Sequence, residues 1–104
     1  MGAHTELTSK ADFDKALETT DKYVLVYAYE GEVSPQAESY ATKFASTVDS
    51  YKLDISKYPE AAKFHGITQA PSIVVYKSGK EAAKVEGVVP EKMKELGEML
   101  SKGV

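Results

Sequence analysis

The sequence predicts a single α/β domain, a three-layer α/β/α sandwich with a central mixed sheet of four to five strands. Its 104 residues, 42% of them apolar and 28% charged, fit one globular domain. The run of apolar, β-branched and aromatic residues at 23–29 is typical of a strand buried on both faces, and 72–76 predicts another strong strand. Amphipathic segments alternate with the strands, so crossover connections should place helices on both faces of the sheet.

The N-terminal segment predicts a flexible tail, a short strand and a first helix. Residues 1–5 are expected to form the tail, and an additional strand is predicted around 5–7. Ser9 followed by Asp12 resembles a capping box, and apolar residues at helical spacing behind it predict a helix over 10–19. The run at 23–29 is then the first long strand.

The second helix is predicted to begin with Ser34 as N-cap and Pro35 as first helical residue. Its apolar positions follow the i, i+3, i+4 rhythm: Ala37, Tyr40, Ala41, Phe44, Ala45 and Val48. A strand over 51–55 should place Tyr51, Leu53 and Ile55 on one face. Pro59 opens a third helix with apolar Ala61, Ala62 and Phe64, and Gly66 is expected to end it.

The C-terminal part predicts a hairpin and a covering helix. The strand 72–76 is followed by a turn at 77–80 and by a weaker strand at 81–85, whose charges suit a sheet edge. The segment 87–89 is predicted to be a loop. Pro90 starts the last helix, whose inner face should carry Met93, Leu96, Gly97 and Leu100.

Composition excludes several functions. The chain has no cysteine, so disulfides, thiolate metal sites, iron–sulfur clusters and thiol catalysis are excluded. It has no arginine and a net charge of −3, which argues against nucleic acid as a partner. Two histidines 61 positions apart form no recognisable metal site, and we expect no cofactor.

No apolar run is long enough to cross a bilayer, and no signal peptide is recognisable, so we expect a cytoplasmic protein without a membrane partner. The alternative location is the endoplasmic reticulum, if a flanking signal sequence has been removed from this chain.

The order and spacing of several motifs resemble the thioredoxin family, especially its small fungal cytosolic members. The segment 66–72 (Gly-Ile-Thr-Gln-Ala-Pro-Ser) resembles the family's loop that ends in a cis-proline and a strand. The segments 76–81 (Tyr-Lys-Ser-Gly-Lys-Glu) and 84–88 (Lys-Val-Glu-Gly-Val) resemble its hairpin and its last strand with the following glycine loop. Weaker matches at 11–13 and 51–54 extend the resemblance over roughly residues 6–100 and imply a thioredoxin-like fold.

The chain departs from this family at the redox motif. Counting forward from 24–26 places the family's Cys-Gly-Pro-Cys on 33–36 (Val-Ser-Pro-Gln), whereas counting backward from 43–44 places it on 31–34. We prefer the first register because Pro35 then starts the helix. Both cysteines are missing in either register, and no residue in their place can act as the thiolate nucleophile.

Two further parts of the family's redox site are missing. Glu32 stands where the family has the tryptophan before its motif, and Tyr27 stands where it has a buried aspartate that assists proton transfer. A simple cysteine-to-serine variant would have kept both. The resemblance therefore implies a member of the fold without redox activity, and not an enzyme.

The resemblance also implies a small binding surface around the lost motif. In the family, the backbone beside the cis-proline pairs with an extended substrate segment, and Ala70 would supply that backbone here. The candidate binding residues are Glu32, Val33, Ser34, Pro35, Gln36, Ala70, Pro71, Gly87 and Val88.

Other residues with possible chemistry have simpler interpretations. Ser34 is expected to be an N-cap rather than a nucleophile, since no Gly-x-Ser-x-Gly elbow is present. His65 is expected to contribute favourable charge or a hydrogen bond at a helix C-terminus. Glu30 and Glu32 are expected in a solvated loop rather than as a catalytic pair, and a cation between Glu30 and Asp54 is the weakest alternative.

Four functional hypotheses remain open from the sequence. The first is an adaptor or chaperone-like module that docks extended protein segments, as a monomer or weak dimer. The second is a structural subunit that uses another face, such as the helix with Tyr40 and Phe44, or a non-catalytic domain cut out of a larger protein such as a disulfide isomerase. The third is non-thiol catalysis by Ser34 or Glu32. The fourth is an engineered scaffold.

Overall fold

The computed structural model describes residues 5–8, 10–18, 21–87 and 89–103, without the side chains of Lys10 and Gln36. Five strands and four helices alternate along these residues. In chain order they are β1 Thr5–Glu6, α1 Lys10–Ala16, β2 Tyr23–Tyr29, α2 Pro35–Lys43, β3 Val48–Asp54, α3 Pro59–Phe64, β4 Ser72–Lys77, β5 Lys80–Glu86 and α4 Pro90–Lys102.

The strands form one mixed sheet in the order β1-β3-β2-β4-β5. The central strand β2 runs parallel to β3 and antiparallel to β4, and β5 is an edge strand that pairs antiparallel with β4. Alternate residues of β2 enter two separate hydrophobic cores, one on each face of the sheet. The core under α1 and α3 contains Phe13 and Ala62, and the core under α2 and α4 contains Phe44 and Leu96. The predicted mixed α/β sandwich is therefore confirmed.

Most helix starts are where the sequence placed them, because proline occupies the first position of α2, α3 and α4. The short N-terminal strand is also confirmed: Thr5 pairs with Tyr51, and the Leu7 N–H donates to the Lys52 carbonyl at 2.8 Å. Of the predicted tail, residues 1–4 lie outside the described residues, whereas Thr5 belongs to β1.

Two predicted helix ends differ from the structure. Helix α2 ends at Lys43, and Val48, predicted on its apolar face, instead begins β3 opposite Tyr23. The physical reason is that β3 pairs with the full length of β2, which requires the chain to leave the helix through the turn at 44–47. Helix α1 ends at Ala16 rather than 19 and is followed by a turn at 17–18.

The capping box predicted for α1 depends on Ser9, which lies outside the described residues. The Asp12 carboxylate accepts hydrogen bonds from the backbone N–H of Thr8 at 3.1 Å and from its hydroxyl at 2.6 Å. No described helix is long and apolar enough to span a membrane.

His65 lies in the core instead of acting as a charged group at the end of α3. Only 5% of it is exposed, its ring packs edge-on against Phe13, and its Nδ1 is 2.7 Å from the Tyr76 hydroxyl. Burial lowers the pKa of His65 to about 4. The imidazole is therefore neutral at pH 7 and cannot supply the favourable charge that the sequence suggested.

We expect the free energy of unfolding to fall as the pH drops from 6.5, the ordinary pKa of histidine, toward 4. The unfolded chain takes up a proton on His65 in this range, whereas the folded chain does not. Denaturant titrations at about pH 7 and about pH 5 should differ by about 2 kcal/mol. In a His65→Phe variant the free energy of unfolding should depend much less on pH over the same range. If its pH dependence is unchanged, His65 is not the cause.

Helices α2 and α4 pack closely at Gly97. A Cβ atom at this position would lie 3.4 Å from Cζ of Phe44 and 3.5 Å from the Tyr40 hydroxyl oxygen. That hydroxyl donates to the Met93 carbonyl at 3.3 Å. Tyr40 and Phe44, which the sequence analysis considered as an external contact surface, thus pack largely against α4.

Gly97→Ala should stabilise the protein by about 0.5–1 kcal/mol, because alanine favours a helix and its methyl group just fits. Gly97→Leu should destabilise it by about 1–3 kcal/mol, since the longer side chain must displace Phe44. Urea denaturation of both variants measures the two effects. Equal stability of the alanine and leucine variants would contradict the close approach of the helices.

Candidate binding site

The candidate site lies at the end of the sheet where β2 stops. Because β4 runs antiparallel to β2, and β5 antiparallel to β4, the end of β2 lies beside the start of β4 and the end of β5. In the observed register Ala28 pairs with Ser72, and Ser72 pairs with Glu86. The loops 30–34 and 69–71 and Gly87, which follows β5, therefore lie at the same end of the sheet.

The N-terminus of α2 is capped by Ser34. Its Oγ accepts a hydrogen bond from the Ala37 N–H at 3.2 Å, and Pro35 follows as first helical residue. In the part of the chain that the structure describes, no base makes a hydrogen bond to this hydroxyl. The geometry thus agrees with the N-cap interpretation, and the helix start at Pro35 is the feature on which the preferred register rests.

Tyrosines lie below the loop that precedes α2. Tyr27 is 5% exposed, and its ring stacks on Tyr29 with the centroids 6.4 Å apart. Both belong to the core under α2 and α4, and the half-buried Val33 packs against this core. Burial raises the pKa of Tyr29, whose hydroxyl donates to Glu6 at 3.3 Å. Aromatic and aliphatic side chains therefore line this side of the site.

The loop before β4 is held on both sides of Ala70. The Ser72 hydroxyl donates to the Gln69 carbonyl at 2.8 Å, and the Gly87 N–H donates to the Pro71 carbonyl at 3.0 Å. The Ala70–Pro71 peptide bond is cis, as expected from the resemblance. Within the described residues, the N–H and the C=O of Ala70 itself have no hydrogen-bond partner. An ordered loop thus presents one unpaired backbone donor and one unpaired acceptor.

Carboxylates surround the site without forming a catalytic pair or a metal centre. Glu30 and Glu32 are exposed, which agrees with the solvated-loop interpretation. The buried Asp54 accepts hydrogen bonds from the Ser56 hydroxyl at 2.6 Å and from the N–H groups of Ser56 and Lys57. These bonds, that of the Ser56 side chain above all, lower the pKa of Asp54. Asp54 thus organises a turn, and the described residues contain no cluster that could hold a metal ion.

The structure brings most of the predicted site residues to one end of the molecule. Glu32, Pro35, Pro71 and Gly87 are exposed there. Val88 and the Gln36 side chain lie outside the described part of the structure.

The sequence interpretation missed Val89, which is 45% exposed and directly precedes α4. Pro90 could have indicated this position, because the residue before a helix-starting proline lies outside the helix. We call the exposed and half-exposed positions Glu32, Val33, Pro35, Ala70, Pro71, Gly87 and Val89 the loop-end surface.

Comparisons with known proteins agree on one family. The family model named Thioredoxin matches residues 4–101. In sequence the chain is 29% identical to thioredoxin-2 of Saccharomyces cerevisiae over 97 residues, which cover 88% of this chain and 92% of the relative. It is 30% identical to a thioredoxin of Staphylococcus aureus over 96 residues, 88% of this chain and 90% of the relative. The X-ray structure of Fasciola hepatica thioredoxin superposes with a TM-score of 0.80 at 24% identity, over 91% of this chain and 97% of that one.

The register of the lost motif can be tested by restoring cysteines. In a Val33→Cys/Gln36→Cys variant we expect an intramolecular disulfide, with the thiolate favoured by the N-terminus of α2. Mass spectrometry after equilibration with a glutathione redox buffer measures the oxidised fraction.

A Gly31→Cys/Ser34→Cys variant is the matched control for the other register. It should form the disulfide less completely, because Gly31 has a φ of +88° that disfavours a side chain and Ser34 is the N-cap. A higher oxidised fraction in this second variant would show that the preferred register is wrong.

Proposed function

The chain belongs to the thioredoxin family, and we propose that it is a redox-inactive, adaptor or chaperone-like module that docks extended protein segments on the loop-end surface. Without cysteine it has no thiol to form a mixed disulfide with a partner. Any association through this surface is then non-covalent, and its lifetime depends on contacts alone.

The observation that carries the proposal is the unpaired backbone of Ala70. An extended peptide can satisfy both its N–H and its C=O by aligning beside the loop, as in strand addition. The bonds on either side, from Ser72 to Gln69 and from Gly87 to Pro71, hold these groups in place. Because the loop is ordered beforehand, a bound segment loses mainly its own conformational freedom.

The surroundings of Ala70 favour a particular kind of segment. Val33, Pro35 and Val89 offer apolar surface, so a segment with apolar side chains gains by burying them. The exposed carboxylates of Glu30 and Glu32 add negative charge at the rim, whereas Glu86 is paired with Lys84 at 3.3 Å. We therefore favour an extended apolar segment flanked by lysine or arginine.

This proposal predicts that Ala70→Lys weakens peptide binding by about tenfold or more, since its long side chain enters the space that the peptide needs. The measurement uses an array of ten-residue peptides with apolar centres and either lysine or glutamate flanks. Hits are then titrated in solution by fluorescence anisotropy. Binding of a lysine-flanked peptide should shift the amide resonances of Gln69, Ala70 and Ser72.

Ala82→Lys is the matched control, because it adds the same charge at an exposed position of the edge strand β5, remote from Glu86. It should bind the peptides as the unmodified chain does. If both variants bind equally well, or if the shifted resonances lie outside the loop-end surface, the docking site is not beside Ala70. Circular dichroism confirms beforehand that both variants are folded.

A further inference from the structure

A second candidate site lies on the face of the sheet that α1 and α3 cover. It shares no residue with the loop-end surface. A cavity of about 360 Å³ opens between α1, α3 and the two residues that follow β1, Leu7 and Thr8. Its walls include Leu7, Phe13, Tyr58, Ala61, Phe64 and His65. We propose that this cavity binds a small, uncharged aromatic molecule that carries one hydroxyl group, a ligand of the phenol or naphthol class.

The walls of the cavity are suited to an aromatic ring. Leu7 and Phe13 are almost completely buried, whereas Phe64 is 55% exposed. The rings of Phe13 and Phe64 meet edge to face with their centroids 5.2 Å apart. A ligand ring that inserts here covers exposed aromatic surface and adds to an existing edge-to-face cluster.

His65 supplies the polar contact. Its Nδ1 is engaged with the Tyr76 hydroxyl, and its Nε2 has no hydrogen-bond partner among the described residues. The only fully enclosed side-chain nitrogen or oxygen without a partner in the described structure is Ser50 Oγ, so Nε2 is not sealed in the core. The cavity is the open space that His65 lines, although 95% of the residue is buried. The ring of His65 thus lines an apolar pocket, and the described residues leave its Nε2 unpaired.

The hydrogen bond to Tyr76 determines what Nε2 can do. If the tyrosine hydroxyl donates to Nδ1, the proton is on Nε2, which then donates; in the other tautomer Nε2 accepts. A ligand hydroxyl can both donate and accept, so it satisfies either form. Because burial keeps the imidazole uncharged at pH 7, a carboxylate or phosphate would find no compensating charge on it.

The size of the cavity limits the ligand to one or two rings. Its volume is near the lower end of the usual range of small-molecule sites, about 300–1,000 Å³. The rim carries Lys57 and Glu60, charges of opposite sign that select neither anions nor cations.

The test compares 2-naphthol with naphthalene, which has the same rings without the hydroxyl. We expect 2-naphthol to bind about tenfold more tightly, the effect of one hydrogen bond to an otherwise unpaired group. Isothermal titration calorimetry measures both affinities. The Nε2 resonance of His65 should shift with 2-naphthol in ¹⁵N spectra and much less with naphthalene.

Two variants separate this site from non-specific binding. Phe64→Ala should weaken both compounds several-fold, whereas Val89→Ala, which truncates an exposed apolar residue of the loop-end surface, should weaken neither. His65→Phe should remove the preference for 2-naphthol while retaining binding of the rings. If that variant does not fold, two measurements still test the proposal. They are the comparison of Phe64→Ala with Val89→Ala and the shift of the Nε2 resonance in the unmodified chain. Equal affinity for the two compounds, an unshifted Nε2 or no binding would overturn the proposal.

Discussion

The fold depends on the burial of β2 on both of its faces. All seven residues of Tyr23–Tyr29 are buried, and the strand pairs over its full length with β3 and over five residues with β4. Val24, Val26 and Ala28 enter the core under α1 and α3, while the residues between them enter the core under α2 and α4. A charged residue at any of these positions would lose its hydration without gaining a partner. Both layers of helices are therefore anchored on this one strand.

The end of β2 also determines which loops lie side by side. Since β3 runs parallel to β2 while β4 and β5 alternate in direction, loops from separate parts of the sequence leave the sheet beside each other. The rung of Ala28, Ser72 and Glu86 fixes which loop residues become neighbours. The Gly87–Pro71 hydrogen bond then extends the pairing of β4 and β5 past the last strand residue. The loop-end surface thus lies just beyond the paired ends of β4 and β5, where the backbone of Ala70 is unpaired within the described residues.

The sequence predicts the elements whose signals are local. The uninterrupted apolar run of β2 and the prolines that begin α2, α3 and α4 are sufficient to locate these elements. Val48 shows the limit of this reasoning: its spacing from Phe44 and Ala41 fits a helix, but pairing with Tyr23 places it in a strand. Long-range pairing decided between two patterns that the local sequence allowed equally.

His65 illustrates why part of the site chemistry could not be predicted. Near the end of a helix and before a glycine, a histidine has a simple local role as a favourable charge. Its actual surroundings come from Phe13 in α1 and Tyr76 in β4, which are 52 and 11 positions away in the chain. Only the folded structure shows that the ring is enclosed and that it lines a cavity.

The missing cysteines and the retained loop have different physical consequences. Covalent exchange requires a thiolate, and replacing both cysteines removes it whatever the surrounding geometry. Docking requires a held backbone and accessible apolar surface, and neither depends on sulfur. In this chain Ser34 caps α2, the bonds beside Ala70 are made, and a tyrosine fills the core position where the resemblance indicates an aspartate. A buried carboxylate needs hydrogen bonds that offset its lost hydration, as Asp54 has, and a tyrosine at this position avoids that cost. This end of the sheet therefore keeps the backbone geometry on which the proposed docking depends, without the groups that thiol exchange needs.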